Sequence, residues 1–275
     1  MIKFSIITCT YNAESVLQRT LDSVMKQTCC NVEHLIIDGK SKDKTLAMVK
    51  AYKHKNDVGE SAHEIRVFSE PDKGLYDAMN KGIDRATGDY LVFLNAGDVF
   101  PSADTLEYVE GCVGEGEVLP GVLYGDTDIV NMDGRFLRHR RLSPPKKLTW
   151  HSFIWGMLVC HQSFYARTDI AKSEHYDLDY RFSADVDWCI RIMKASKARN
   201  NRQFIDHMHI SSAYAFIHAL TLLIDADTHA TADFLTLIDI AVGLLQGTDL
   251  ENIGIIPAFT QCGVRENKTH RIIKA

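Results

Sequence analysis

Five consecutive apolar residues, Tyr90-Leu91-Val92-Phe93-Leu94, stand between Gly88-Asp89 and Asn95-Ala96-Gly97-Asp98. A run this short, without polar alternation and bounded by turn residues, reads as a strand buried on both faces. Such a strand needs helices above and below it, which points to a parallel α/β sheet. Earlier segments repeat the pattern. Phe4–Thr10 is a β-branched stretch bounded by polar residues, His34–Ile37 runs into Asp38-Gly39-Lys40-Ser41-Lys42-Asp43, and Ile65–Phe68 leads into the loop Glu70-Pro71-Asp72-Lys73-Gly74. Helical patterns separate them. Ala13 to Gln27 carries Val16, Leu17, Leu21, Val24 and Met25 on one face, with Asn12 as its N-cap; a second helix is capped by Asp43 and runs to about His54. In a third, Leu75, Met79 and Ile83 recur at helical spacing, and Gly88 is the expected left-handed C-cap.

Right-handed crossovers place Thr10-Tyr11-Asn12, Asp38 and Asn95-to-Asp98 on one edge of the sheet, where open α/β folds bind ligands. An acid at Asp98, preceded by the small residues Ala96 and Gly97, can hold a divalent cation that in turn binds a nucleotide diphosphate. The same four residues also suit an ordinary turn in which Asn95 and Asp98 cap backbone amides. No GxGxxG follows the first strand and no GxxxxGK[ST] occurs, which argues against a dinucleotide or P-loop site.

Taken together, the segments FSIITCTYNAE (4–14), LIIDGKSKDKT (35–45), EPDKGLYDAMNKGI (70–83), FLNAGD (93–98), CHQSFYAR (160–167) and FSADVDWCIRI (182–192) resemble a family 2 glycosyltransferase of the GT-A fold, of the kind that builds bacterial polysaccharides. The resemblance spans about the first two-thirds of the chain in the family's order. It implies a Rossmann-like, mostly parallel sheet with helices on both faces and a small antiparallel acceptor-side portion. It also implies roles. Thr10 and Tyr11 line the nucleoside pocket with Asn12 and Gly74 beside them; Asp38 accepts from the base edge; Asp72 lies near the ribose or sugar. Asp98 coordinates Mg²⁺ or Mn²⁺ on the diphosphate with Asn95 adjacent, His161 and Gln162 meet acceptor or phosphate, and Asp185 is the general base of an inverting transfer. An aspartate facing the base favours uracil or thymine, because both offer an N–H there, and a UDP-sugar is the favoured donor. The family's acidic metal motif often has two or three carboxylates, whereas Asn95 and Gly97 here leave one, which makes metal binding more dependent on the nucleotide's phosphates. Ala184 also replaces the usual Glu before the base.

The remaining chain is read from its residues. Pro101 to Val113 is a helix with Ser102 as cap, Val122–Asp126 a strand, and Ile129–Asn131 with Arg135–Leu137 a hairpin about Met132-Asp133-Gly134. This antiparallel portion forms an acceptor half (101–200) built onto the nucleotide half (1–100). The single basic run, Arg135, Arg138, His139, Arg140, Arg141, Lys146 and Lys147, is either a solvated face or an electropositive loop near phosphate, of the donor or of a lipid-linked acceptor. Trp150, Phe153, Trp155 and Phe164 suit either sugar faces or core. Ala184 to Lys194 is a helix with Val186, Ile190 and Met193 inward; Asp185 or Ser183 would serve as its N-cap, and Asp187 is the second candidate base. Residues 201–275 form a helical extension that packs on the catalytic domain or makes a dimer contact, and its histidines are scattered surface groups.

Composition excludes several classes. A net charge of −5 argues against general nucleic-acid binding. Seven scattered cysteines without a CxxC fit reduced thiols in the cytoplasm. Met1 leads straight into a strand, as in a chain without a signal peptide, and no apolar run approaches the ~20 residues of a membrane helix; association with a membrane would be peripheral. The expected activity is transfer of a sugar from a nucleoside diphosphate to a glycan or lipid-linked glycan. Two other classes stay open: a nucleotidyltransferase, which should carry a Gly/Arg/Lys-rich loop where Thr10-Tyr11-Asn12-Ala13 stands, and a non-catalytic nucleotide-sugar-binding or scaffold protein.

Overall fold

The computed structural model describes residues 1–60, 63–113, 119–131, 134–180 and 182–198, together with the backbone of a strand at Met208–Ala215. Four strands, β1 (Phe4–Thr10), β2 (Val32–Asp38), β3 (Glu64–Ser69) and β4 (Tyr90–Phe93), pair in parallel in the order β3-β2-β1-β4. The sheet continues as β7 (Phe164–Arg167), β5 (Val122–Val130) and β6 (Phe136–His139), each antiparallel to its predecessor. The expected short strand and hairpin arm at 122–131 are one nine-residue strand. The hairpin turn at 132–133 and the proposed helices after residue 216 lie outside the described residues.

Met208–Ala215 is a strand, β8, parallel to β5. The helical reading of 201–275 therefore fails at 208–215, where the chain is a strand. Met208 and Ile210 alternate with polar neighbours in an uncharged stretch, a period-two pattern.

Alternation along β1 divides the core. Ile7 packs with Leu35, Met79, Ile83, Phe93 and Trp188 on one face, under α3 (Leu75–Arg85) and α6 (Ala184–Ala198). Ile6 packs with Val24, Val92, Leu106 and Val109 on the other, under α1 (Leu17–Met25) and α4 (Thr105–Val113). A third cluster joins α1 to α2 (Thr45–Lys55) through Leu21, Val49 and Tyr52. In α6 Ala184, Trp188, Cys189, Ile192, Met193 and Ser196 are buried, while Val186 and Ile190 pack partly buried against the same cluster. The inward face thus includes the expected Met193 but centres on the Trp188 indole.

Two buried polar networks hold the parallel strands in register. At their amino ends Glu33, fully buried, accepts from the Ser5 hydroxyl (2.5 Å), the Thr87 hydroxyl (2.8 Å) and the amides of Thr87 and Gly88. Burial would raise its pKa, yet the hydrogen bonds from Ser5 and Thr87 and the nearby Lys3 hold it below the usual value. Gly88 is not the expected left-handed cap. Helix α3 ends at Arg85 with Ala86 extended, and Gly88 is outside the positive-φ glycines. It is a glycine because a Cβ there would stand 2.6 Å from the Lys3 carbonyl oxygen and 2.8 Å from Ser5 Oγ. Gly88→Ala is expected to destabilise the fold by about 1–3 kcal/mol, read as a lower urea midpoint; an unchanged midpoint would show that β1 can move aside.

The second network crosses the sheet towards its carboxyl edge. Thr8 Oγ1 donates to the Leu94 carbonyl (2.7 Å), so it must accept from His34 Nε2 (2.9 Å), and His34 Nδ1 accepts from the Tyr52 hydroxyl (2.7 Å). Burial pushes the His34 pKa down to about 3, which keeps the ring neutral in this relay. The relay pins the backbone immediately before Asn95.

Candidate active site at the carboxyl edge

Strand β1 lies between β2 and β4, so the chain reverses its direction of growth beside it. In open α/β sheets that crevice, at the carboxyl ends of the strands, receives ligands. Three groups of side chains gather along this edge.

The first is at the ends of β1, β2 and β3. Asp38 is fully buried; Oδ1 accepts from the hydroxyls of Ser41 (2.5 Å) and Thr10 (3.2 Å), and Oδ2 from the Ser69 hydroxyl (2.6 Å) and the Ser41 amide (3.1 Å). Four protein donors therefore satisfy this carboxylate and fasten three strand ends together. Thr10 is buried with its hydroxyl on Asp38, so both residues sit together at the strand ends. Asn12 is corrected as a helix cap: α1 begins at Leu17, and Asn12, at φ 48°, accepts from the Lys42 amide (2.8 Å) and donates its own amide to Ser41 Oγ (2.8 Å). Tyr11 is 62% exposed. Its ring and the Asp72 carboxylate both lie against Gly39, where a side chain would collide with Asp72. Asp72 Oδ1 accepts from the Gly74 amide (3.0 Å), and Gly74 opens α3 at φ 116°, a conformation that favours glycine.

The second group follows β4. The Asp98 amide donates to the Asn95 carbonyl (2.9 Å) with Gly97 at φ 102°, a tight turn whose third residue must have positive φ. The Thr20 hydroxyl accepts from the Gly97 amide (2.8 Å) and donates to the Asp98 carbonyl (2.7 Å). Turn geometry thus explains why glycine stands where the family often has an acid. Asp98 is buried, and its charge reaches Arg19, whose pKa burial lowers and Asp98 partly restores. Asn95 Nδ2 lies 3.0 Å from His161 Nε2, while Asn95 Oδ1 has no partner among the described residues. Gln162 is fully buried with neither amide atom paired.

The third group surrounds Asp185. Ser183, at φ 62°, caps α6 with its carbonyl, accepting from the amides of Val186 (3.1 Å) and Asp187 (3.3 Å). Asp185 is therefore not the cap; its Oδ1 accepts from the Val186 amide (3.0 Å). Asp185 is half-buried, and its carboxyl is pushed up by burial, against the pull of the Val186 and Asp185 amides and the Arg140 charge. Arg140 is held by the carbonyls of Leu142 (2.8 Å) and Leu158 (3.3 Å). The Tyr76 hydroxyl, on α3, faces the first amides of α6 and feels the Asp185 charge. Asp187, the second candidate base, instead accepts from Arg191 Nε (2.7 Å).

Cys160 ties the second group to the third. Burial raises its pKa, and the charges of Arg140, Asp98 and Asp185 all act on it. Asp98 and Asp185, 87 positions apart in sequence, thus both act electrostatically on the Cys160 thiol. Arg19 and Tyr76 were not singled out from the sequence, although Tyr76 lies within the EPDKGLYDAMNKGI segment, and Arg140 was read only as one member of the basic run. The aromatic segment resolves as core, with Phe153 and Phe164 buried, while Trp150 is stacked on His151 (3.4 Å) with Lys194 Nζ 4.5 Å from its ring centre.

Among the described residues, no three His, Cys, Asp or Glu side chains form a metal cage. The Asp98 carboxylate and the unpaired Asn95 amide oxygen, in one turn, are oxygen donors of the kind magnesium and manganese take, with remaining positions left to phosphate. This set fits a cation shared with a ligand.

The family model "Glycosyl transferase family 2" matches residues 5–172. A "PGL/p-HBAD biosynthesis glycosyltransferase" of Mycobacterium bovis (strain BCG / Pasteur 1173P2) is 35% identical over 189 residues, 68% of each chain. The "Amylovoran biosynthesis glycosyltransferase AmsB" of Erwinia amylovora is 31% identical over 205 residues, 70% of this chain and 64% of that protein. Among solved structures, S. aureus TarS 1-349 with UDP-GlcNAc aligns at TM-score 0.61 and 18% identity, covering 91% of this chain and 77% of that one. The mannosyltransferase PcManGT from Pyrobaculum calidifontis, with GDP-Man and Mn²⁺, aligns at TM-score 0.55 and 14% identity over 97% and 81%. At these identities the structural likeness is one of fold, the GT-A fold.

Proposed function

This chain belongs to glycosyl transferase family 2, and from the site at its carboxyl edge we propose that it moves one sugar from a nucleoside diphosphate to a hydroxyl of a glycan or lipid-linked glycan, with inversion. The observation that carries this reading is the turn after β4, which sets the buried Asp98 and the Asn95 amide oxygen together at the carboxyl edge of the sheet. Tyr11 and Asp72, flanking Gly39, are the donor's nucleoside and sugar contacts. Asp38 and Thr10 act by fixing the strand ends that present Tyr11. The names of the relatives, and the nucleotide sugars in the titles of the similar structures, support the substrate class.

In the transfer, the acceptor oxygen attacks the anomeric carbon from the side opposite the diphosphate. The bond from that carbon to the phosphate oxygen breaks, with its electron pair leaving on the nucleoside diphosphate. The hydroxyl proton passes to Asp185. Its partial burial raises its basicity, which suits a group that must take a proton as the new bond forms. Asp98, with the Asn95 amide oxygen, would hold a divalent cation, whose chemistry when bound is to stabilise charge on the departing diphosphate. A nucleotidyltransferase is disfavoured, because Thr10-Tyr11-Asn12-Ala13 offers no basic phosphate loop.

Thermal melting with UDP, dTDP, GDP and CMP, each with and without Mn²⁺, tests the reading. A ligand at one hundred times its dissociation constant adds about 2.7 kcal/mol to stability. The expected result is a shift with one nucleoside diphosphate that grows with Mn²⁺ and loses its Mn²⁺ dependence in Asp98→Ala. No shift with any nucleotide would leave a scaffold protein as the better account.

A further inference from the structure

We propose that the β5–β6 hairpin and the loop after it form a docking surface for an anionic lipid bilayer. Residues 135–147, RFLRHRRLSPPKK, carry four arginines and two lysines and no acid, in a chain whose net charge is −5. Arg135, Arg141, Lys146 and Lys147 are exposed, and the salt bridges among the described residues leave these four out. Exposed cations gathered in one segment against the sign of the whole molecule point to an anionic partner.

The same strand carries apolar groups that a purely electrostatic surface does not need. Phe136 and Leu137 are 55% and 57% exposed, although they are neighbours on a strand where alternate residues ordinarily face opposite ways. The pairing shows how this arises. Val130 opposes Phe136 and Ile129 opposes Arg138, which leaves Leu137 as the extra residue of a bulge. A bulge re-aims its side chains, and here it puts two adjacent large apolar groups into solvent. Strand β6 is also the edge of the sheet along its main path. Cations alone on an edge strand guard against edge-to-edge pairing, but exposed Phe and Leu defeat that purpose. Apolar groups flanked by lysine and arginine match the boundary between acyl chains and anionic headgroups. No described helix is long and apolar enough to cross a membrane, so this attachment is peripheral.

The hairpin's base reaches the site from both ends. Arg19, beside Asp98, donates to the Asn131 carbonyl (3.4 Å) where β5 ends, and Arg140, just past β6, faces Asp185. Docking through the hairpin would hold the crevice near the headgroups, where a lipid-linked acceptor presents its sugar. That last link rests on the transferase reading above; the docking surface does not.

Co-sedimentation with phosphatidylcholine vesicles containing about one-third phosphatidylglycerol, against pure phosphatidylcholine vesicles, tests the surface without any turnover. The full chain is expected to bind the anionic vesicles and to be released in about 0.5 M salt, where screening leaves only a few ångströms of reach. The variant Arg135→Glu/Arg141→Glu/Lys147→Glu should bind roughly a hundredfold more weakly, at about fivefold per cation. Phe136→Ser/Leu137→Ser should weaken binding severalfold and leave a salt-sensitive remainder. Both sets of residues are exposed, so the melting temperature and the nucleotide-induced shift should stay as in the parent. Equal sedimentation with both kinds of vesicle, or parent-like binding by the charge-reversed variant, would overturn the proposal. A lost nucleotide shift with intact vesicle binding would instead count against the transferase reading alone.

Discussion

Asp185→Asn is expected to lower kcat by about 10²–10⁴-fold while donor affinity stays within about twofold. The amide is nearly isosteric and can still accept from the Val186 amide, so the start of α6 should be preserved. What it cannot do is take the acceptor's proton. The acidic limb of the parent's kcat/KM profile should lie above the ordinary carboxylate value of 3.8, because burial favours the neutral acid, and that limb should vanish in the variant. The sign for stability runs the other way. Below the ordinary value Asp185 is neutral in folded and unfolded chains and opposes nothing; as pH rises through its raised folded value, burial of the charge costs stability. Asp185→Asn should therefore melt at a higher temperature than the parent near neutral pH. An active site commonly carries such a cost. Unchanged kcat would remove Asp185 as the base; a lower melting temperature would show that its charge is compensated in the fold.

Trp188→Ala should have the largest effect on stability, about 3–5 kcal/mol. The indole is fully buried, stacks on Tyr176 at 4.8 Å between ring centres, and meets Phe93 and Phe164 edge-on at 5.8 and 5.7 Å. Its Nε1 donates to the Glu174 carbonyl (2.6 Å), which would lose that partner. The thermal midpoint should fall by roughly 10 °C. Trp188 lies one helical turn from Asp185, so turnover should fall as well. A midpoint within a degree of the parent would mean that α6 is held by something other than this stack.

How much of this was legible beforehand depends on the distance over which each feature is decided. The parallel strands and their helices were readable because burial on both faces writes an apolar run, and the run's ends show in adjacent turn residues. Asp98 was readable for the same reason: it follows a buried strand directly. Gly88 misled because a glycine after a helix usually answers a local backbone need; here the need is set by Lys3 and Ser5, more than eighty residues away. Asp38 was legible only in part. Its position at a strand end was right, but its four donors come from three separate segments, and no local pattern announces that they satisfy it.

The amino-acid sequence by itself determined the family, the parallel half of the sheet and the carboxylates that lie at its edge, since each follows from periodicity or from a short contiguous motif. Only the tertiary structure decided what those carboxylates face. Asp38 became a buried fastening and Asp185 a half-buried group under the Arg140 charge, Gly97 proved to be dictated by a turn, and a bulge exposed Phe136 and Leu137 beside the basic run. The reason is physical. The desolvation and charge that set a carboxylate's chemistry are summed over neighbours in space, and folding brings those neighbours from remote parts of the chain.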